Sequence, residues 1–365
     1  MQFIDLKFQY AKIKDKVDAG IAGVLEHGRY IMGPEVGALE EKLANYVGTK
    51  HCLGVSSGTD ALLIALMALD IKPGDEIITT PFTFIATGEV IALAGAKPVY
   101  VDILEDTYNI DPSKIEEKIT PKTKAIMPVS LYGQCADYDA INAIAQKHNL
   151  PVIEDGAQSF GAEYKGKKSC GLTLVGCTSF FPSKPLGAYG DGGAVFTNNE
   201  DFHKKMAQIR DHGQAARYEH TIVGLNGRLD SIQAAILLAK MDIFESEVSL
   251  RNEVAKRYSD LFGESVITPK VENHNISVFA QYTVRVKNRE SVLASLAEAG
   301  IPTAIHYPKP LHLQPVFGYL GHKEGDFPVS EMVSKEVFSI PMHPYLEEAD
   351  QKTVVSSVKS AIENS

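Results

Sequence analysis

The stretch CLGVSSGTDALLIALMALDIKPGDEIITT, residues 52–80, sets the fold class of this chain. It opens on a short apolar run, passes through small residues, and then carries apolar residues at helical spacing over 59–70. A second short apolar run follows at 76–80. A strand, a helix and a strand in succession predict parallel strands joined by a helix, which is the repeating unit of an α/β fold.

The same alternation continues to about residue 200. Strands of a parallel sheet are buried on both faces, which agrees with the Val- and Ile-rich runs. We expect further strands at 98–103, 124–131 and 151–156, with helices at 86–95 and 137–149 between them.

A long helical pattern at 228–262 follows, and it is long enough to bridge two domains. Three elements come after it, a strand at 281–287 and helices at 289–300 and 348–363. We therefore expect a large α/β domain over 1–245 and a smaller α+β domain over 246–365.

Composition narrows the classes of partner. The 365 residues carry a net charge of −10, which argues against nucleic acid as the main partner. No run of about 20 apolar residues predicts a membrane span. The N-terminus lacks the apolar segment of a signal peptide, so we expect a cytoplasmic protein. The four cysteines lack zinc-binding spacing, so no metal site is expected.

Lys184 is the only charged residue between Lys168 and Asp191, and Phe and Pro residues surround it. Pro185 disfavours helical backbone at Lys184, so we expect a loop or a strand end there. Burial lowers the pKa of a lysine and leaves more neutral, nucleophilic amine. The alternative is a surface lysine whose stem lies along apolar neighbours.

Asp155 ends the apolar run of VIEDGAQS, residues 152–159. In open α/β sheets, ligands bind outside the carboxyl ends of the strands. A carboxylate there can keep a ring nitrogen protonated, as pyridoxal phosphate (PLP) requires to act as an electron sink. The alternative is a helix N-cap in a strand-to-helix turn.

GVSSGTDALL, residues 54–63, has a pattern typical of a phosphate site, because small residues and a helix N-terminus expose N–H groups. Gly58 and Thr59 lie at that helix start, although a simple capped turn would look the same. Ser179 could add a hydroxyl to the site. In PFTFIAT, residues 81–87, an aromatic ring could stack on a flat cofactor or belong to the core.

Together these segments resemble the DegT/DnrJ/EryC1/StrS aminotransferases, which make amino sugars on nucleotide carriers. The motifs that carry the resemblance stand in order along nearly the whole chain: SSGT at 56–59, TPFTFIAT at 80–87, VIEDGAQS at 152–159, SFFPSKPLGAYGDGG at 179–193 and LNGRLDSIQAAIL at 225–237. The resemblance implies a fold-type I PLP-dependent transferase, with a mostly parallel mixed sheet between helices and a small α+β C-terminal domain.

The resemblance also implies a role for each cofactor residue. Lys184 would link covalently to PLP and then move the proton between cofactor and substrate carbons, and Asp155 would pair with the ring nitrogen. Gln158 would contact the ring hydroxyl. Phosphate contacts are implied for Gly58, Thr59 and Ser179, and stacking on the ring for Phe84.

Residues from a neighbouring subunit are implied as well, so the functional unit would be a homodimer with shared sites. Asn226 would reach the neighbour's cofactor phosphate. His306 and Tyr307 would approach the nucleotide sugar bound there. Arg228 would meet a carboxylate or pyrophosphate of the substrate, or it would form an ion pair at a helix start.

Within the family, the similarity is greatest to bacterial enzymes that aminate UDP-2-acetamido-2-deoxy-3-oxo-glucuronate for surface polysaccharides such as O-antigen and lipopolysaccharide. Glutamate would be the amine donor. Two alternatives stay open: a dTDP-linked keto-6-deoxy sugar as substrate, and a PLP-binding regulator without turnover. The two expected domains leave no room for the DNA-binding module that such a regulator would carry.

Overall fold

The computed structural model describes residues 1–364, over which the chain forms ten α-helices and fourteen β-strands. The helices are α1 Leu6–His27, α2 Pro34–Val47, α3 Gly58–Ala68, α4 Ile85–Leu93, α5 Tyr138–Lys147, α6 Glu200–Arg210, α7 Ser231–Phe262, α8 Arg289–Glu298, α9 Pro328–Glu336 and α10 Glu348–Glu363. The strands are β1 His51–Val55, β2 Glu76–Thr79, β3 Lys97–Tyr100, β4 Thr123–Ile126, β5 Ile153–Asp155, β6 Glu163–Tyr164, β7 Lys167–Lys168, β8 Val175–Ser179, β9 Gly193–Thr197, β10 Gln214–Ala216, β11 Glu219–His220, β12 Asn275–Ile276, β13 Tyr282–Arg285 and β14 Val337–Ile340.

Seven of the strands form the central layer. One group has the order β3-β2-β4 and the other β5-β8-β9-β1, and parallel bridges from Ile126 to Val152 and from Val129 to Asp155 join them. Only β9 runs antiparallel to its neighbours β8 and β1. The prediction of a mostly parallel mixed sheet between helices is therefore confirmed.

The two faces of this sheet enter different cores, because successive strand residues point to opposite sides. Ile77 of β2 and Val195 of β9 pack in one cluster with α3. Their neighbours Ile78 and Phe196 pack in the other cluster with α2 and α7. Burial on both faces explains why the strand sequences read as continuous apolar runs.

A third core lies wholly within residues 254–361. It gathers the antiparallel pair β13–β14, helices α8 and α10, and the C-terminal half of α7. The continuous helix α7 carries the chain across residue 245, so the division into domains at that point stays a prediction. Within residues 1–364, no helix is long and apolar enough to cross a membrane.

Candidate active site

The site lies where two neighbouring parallel strands end. Asp155 is the last residue of β5 and Ser179 is the last residue of β8. The chain then forms an irregular loop that carries Lys184 before it returns along β9. Lys184 is thus brought to the carboxyl edge of the sheet, where open α/β folds bind their ligands.

Asp155 is only 4% exposed, and its carboxylate is held by two donors. The hydroxyl of Thr87 donates to Oδ2 at 2.8 Å, and the N–H of Ala157 donates to Oδ1 at 3.2 Å. Burial raises the pKa of Asp155, and the two hydrogen bonds and the charge of Lys184 oppose that shift. A turn and not a helix follows Asp155, so the N-cap alternative is wrong.

Lys184 is half-buried, and its backbone N–H donates to the carbonyl of Phe181 at 2.8 Å. Burial lowers the pKa of its amine, and the nearby carboxylate of Asp155 acts in the opposite direction. The alternative, a surface lysine whose stem lies along apolar neighbours, does not fit this half-buried amine near the carboxylate of Asp155. The amine has the partial desolvation that a nucleophilic lysine needs.

A tight cradle lies at the start of α3. Ser57 caps the helix by accepting the N–H of Asp60 at 3.0 Å, and Gly58 is the first helical residue. A Cβ on Gly58 would come within 2.6 Å of the Cβ of Ser179, so only glycine lets the two segments approach this closely. The helix N-terminus and the adjacent serine hydroxyl together suit a phosphate group.

Aromatic and amide side chains line another side of the site. The ring of Phe84 is 52% exposed and its centroid lies 6.0 Å from that of Tyr307. Gln158 donates from Nε2 to the hydroxyl of Tyr307 at 3.0 Å and accepts the N–H of Tyr132 at 2.8 Å. Phe82, by contrast, is fully buried. Of these two rings, Phe84 is therefore the one that is accessible to a ligand.

His306 and Tyr307 lie in the site of their own chain, which corrects the expectation that they serve a neighbouring subunit. Tyr307 contacts Gln158, and the carbonyl of His306 accepts a hydrogen bond from the hydroxyl of Tyr132. Burial lowers the pKa of His306 to about 4, and the charge of Lys184 adds to this shift. The imidazole is consequently neutral at pH 7.

Asn226 and Arg228 lie on the segment that runs beside the end of β1, where the N–H of Ser56 donates to the carbonyl of Gly227. Arg228 donates to Oδ1 of Asn226 at 2.8 and 3.1 Å and forms an ion pair with Asp211 at 3.2 Å. Asn226 is exposed. The ion-pair alternative for Arg228 is present in the structure, and a contact of either residue with a neighbour's ligand stays a prediction.

Sequence reasoning did not identify Thr87 or Tyr132 as site residues. Thr87 lies in the first turn of α4, four residues after Thr83, and the hydroxyls of the two threonines are 2.9 Å apart. Two threonines four residues apart at the start of a helix after a strand were an available signal. Tyr132 had no such signal, because its role depends on the distant segment at 306–307.

These residues fit PLP. The cradle at Gly58 and Ser179 matches its phosphate, Phe84 can cover one ring face, Asp155 can hold the ring nitrogen, and Lys184 can reach its aldehyde. When bound, PLP supplies an electron sink for amine transfer.

Comparison with known proteins identifies the family of the chain. The model of the DegT/DnrJ/EryC1/StrS aminotransferase family matches residues 11–359. The chain is 58% identical over 359 residues to the UDP-2-acetamido-2-deoxy-3-oxo-D-glucuronate aminotransferase of Pseudomonas aeruginosa, covering 98% of this chain and 99% of that protein.

Solved structures agree as well. A DegT DnrJ EryC1 StrS aminotransferase from Brucella abortus has a TM-score of 0.96 at 42% identity, covering 99% of both chains. NtdA from Bacillus subtilis, solved with bound cofactor PMP, has a TM-score of 0.90 at 31% identity, covering 99% of this chain and 83% of that one. The protein is a PLP-dependent enzyme and belongs to the DegT/DnrJ/EryC1/StrS aminotransferase family.

Proposed function

We propose that the protein transfers the amino group of glutamate to the keto carbon of UDP-2-acetamido-2-deoxy-3-oxo-glucuronate. The products are 2-oxoglutarate and the UDP-linked 3-amino sugar, which would serve O-antigen or other lipopolysaccharide synthesis. One observation carries the proposal: Lys184 and Asp155 share one buried site in a chain 58% identical to an aminotransferase named for that substrate.

Each side chain has a defined task in this reaction. The carboxylate of Asp155 would pair with the ring nitrogen of PLP and favour its protonated form, and the donors Thr87 and Ala157 oppose the rise in the pKa of Asp155 that burial causes. The amine of Lys184 takes the proton from one substrate carbon and returns it to the other. Neutral His306 and the hydroxyl of Tyr307 border the space in which the sugar would lie.

We further propose that the enzyme works in the cytoplasm as a homodimer with shared sites. Tyr30 and Ile31 are each 48% exposed, and Ile31 pairs with the backbone of Asp230, four residues from Asn226. Such an apolar surface beside Asn226 favours contact with a second copy of the chain. Asn226 would then reach the neighbour's cofactor phosphate, while His306 stays with its own site.

The test is a panel of UDP- and dTDP-linked keto sugars incubated with glutamate, with the products identified by mass and 2-oxoglutarate measured in parallel. We expect amination of the UDP-linked 3-oxo-glucuronate, and none with the Lys184→Ala variant. Preference for a dTDP-linked keto-6-deoxy sugar would contradict the assigned substrate. Absence of 2-oxoglutarate with every sugar would contradict turnover and favour the regulator.

A further inference from the structure

Residues 180–188, which we call the lysine loop, carry Lys184 from the end of β8 toward β9. The loop is closed at its base, because the N–H of Ala188 donates to the carbonyl of Phe180 at 2.7 Å. Both of these residues are fully buried and pack in the core cluster that includes α2 and α7. The ends of the loop are thus fixed, and the position of Lys184 depends on what holds the part between them.

Gly187 is the point at which the two arms of the lysine loop touch. A Cβ on Gly187 would lie 2.4 Å from the carbonyl oxygen of Pro182, so only glycine fits here. Gly187 is buried, and its carbonyl accepts a hydrogen bond from Nζ of Lys240 at 2.6 Å. Because the arms are in contact, this one hydrogen bond restrains both of them and Lys184 between them.

Lys240 is a buried lysine in the N-terminal half of α7. It is 1% exposed, and among residues 1–364 no carboxylate lies within ion-pair distance of its amine. Burial lowers the pKa of Lys240 to about 8, and the charge of Glu247, two helical turns away, opposes that shift. The amine is therefore mostly protonated at pH 7. Burial of such a charge is costly, so packing alone does not explain this side chain.

Two further contacts connect the same face of α7 to the chain just after the lysine loop. The Nζ of Lys240 lies 4.3 Å from the ring centroid of Tyr189, which is a cation–π contact. The N–H of Tyr189 donates to Oε1 of Gln233 at 2.9 Å. Gln233 and Lys240 are two helical turns apart and lie on one face of the helix. This face therefore binds two backbone groups shortly after Lys184.

We propose that Lys240, with Gln233 beside it, is a positioning residue for Lys184. Its ammonium group holds the lysine loop against α7, so that the amine of Lys184 stays directed toward Asp155 and the cofactor. Lys240 acts through the loop and not on the substrate itself. A displacement of about 1 Å at a reacting group is enough to slow a reaction severely. The proposal rests on the proposed function for the role of Lys184 as the reacting amine.

The test uses Lys240→Met, which removes the ammonium group and keeps a side chain of similar length. Lys256→Met is the matched control, because Lys256 is exposed on the same helix and pairs with Asp260. Steady-state kinetics give kcat and the KM values for glutamate and for the sugar. Visible absorbance gives the rate at which the apoenzyme captures PLP. Hydrogen exchange of peptides that span the lysine loop reports its mobility, and thermal melts report stability.

We expect kcat to fall about tenfold in Lys240→Met, while both KM values stay within about twofold of wild type. Capture of PLP should slow at least about threefold, because the amine of Lys184 is less often in place. Peptides from the lysine loop should exchange faster. The Tm should not fall, because removal of an unpaired buried charge offsets the lost hydrogen bond. Lys256→Met should match wild type in every measurement.

A kcat of Lys240→Met within about twofold of wild type would overturn the proposal. A fall in kcat together with a lower Tm and faster exchange throughout the chain would also overturn it, since general destabilisation explains that result. If Lys240→Met does not fold, Gln233→Met decides, because half-buried Gln233 accepts the N–H of Tyr189. Its kcat should fall at least about threefold with faster exchange in the loop, and wild-type values of both would count against the proposal.

These outcomes are separable from those of the proposed function. Hydrogen exchange and capture of PLP need neither sugar nor turnover, so the positioning role stands if both depend on Lys240 while the UDP-linked sugar is not a substrate. If reduction with borohydride placed the cofactor on another lysine, the proposed role of Lys184 would fail. Hydrogen exchange would then still show whether Lys240 holds the loop.

Discussion

The hydroxyl of Thr87 donates a 2.8 Å hydrogen bond to Oδ2 of Asp155, and it thereby links the first turn of α4 to the end of β5. Burial raises the pKa of Asp155, and this hydrogen bond is the largest of the contributions that lower it. Thr87 thus favours the ionised form of Asp155 and fixes the direction of its carboxylate. An ionised Asp155 is what the proposed chemistry requires at the ring nitrogen.

Thr87→Val should remove this donor while it keeps the shape of the side chain. The pKa of Asp155 should rise, because the charged form loses a hydrogen bond, so the acid limb of the pH–rate profile should move to higher pH. We expect kcat to fall about three- to tenfold. Thr79→Val is the control, since Thr79 donates to the carbonyl of Met127 in the same sheet. Superimposable profiles for Thr87→Val and wild type would contradict this role.

Asp155→Asn should keep the volume of the side chain and lose its charge. An uncharged amide holds the ring nitrogen less well protonated, which weakens the electron sink. We expect kcat to fall at least about tenfold, equivalent to about 1.4 kcal/mol of barrier. Single-turnover kinetics with glutamate measure the effect on the first half of the reaction. A kcat equal to that of wild type would reduce Asp155 to a structural residue.

Gly58→Ala should loosen the hold on the cofactor phosphate. The new methyl group would lie 2.6 Å from the Cβ of Ser179, so the start of α3 must move. We expect the Kd for PLP to rise at least about tenfold, because the N–H groups at the helix start lose their alignment. Gly37→Ala is the control, as a Cβ there would meet nothing within 4 Å. Equal PLP affinity in both variants would show that the cradle tolerates a side chain.

The fold was predictable from the sequence where elements are long and their period is clear. The helix expected at 59–70 is Gly58–Ala68, and the last helix is Glu348–Glu363 as predicted. The two-residue strands β6 and β7 carry too few residues to show any period. Strand β9 follows a glycine-rich loop, and its direction depends on the pairing with β8 and β1.

Site residues could be predicted from the sequence only where they come after a predicted strand along the chain. Asp155 and Lys184 come together because β5 and β8 are neighbours in the sheet. The subunit that His306 serves was assigned wrongly, because it depends on how a distant segment returns to the sheet edge.

Mixed dimers test whether sites are shared. Lys184→Ala removes the catalytic amine, and Asn226→Asp places a negative charge where the neighbour's phosphate is proposed to lie. In a mixed dimer of these two chains, one site carries both defects and the other carries neither. Random refolding makes about half of the dimers mixed, so activity should recover to about a quarter of wild type.

The control mixture pairs Lys184→Ala with His306→Ala. His306 lies in the site of its own chain, so in this mixed dimer each site keeps one defect and activity should stay at the level of the separate variants. Recovery in the control mixture, or none in the Asn226→Asp mixture once mixed dimers are confirmed by mass, would contradict the arrangement proposed for these residues.

The covalent link at Lys184 is the central claim, and borohydride reduction of the holoenzyme followed by peptide mass mapping tests it most directly. We expect a yellow protein in which reduction fixes the cofactor on the peptide that contains Lys184 and abolishes release of 2-oxoglutarate from glutamate. Lys184→Ala should show neither the lysine-linked absorbance nor turnover. Cofactor mass on another lysine, or transamination by Lys184→Ala at the wild-type rate, would contradict it.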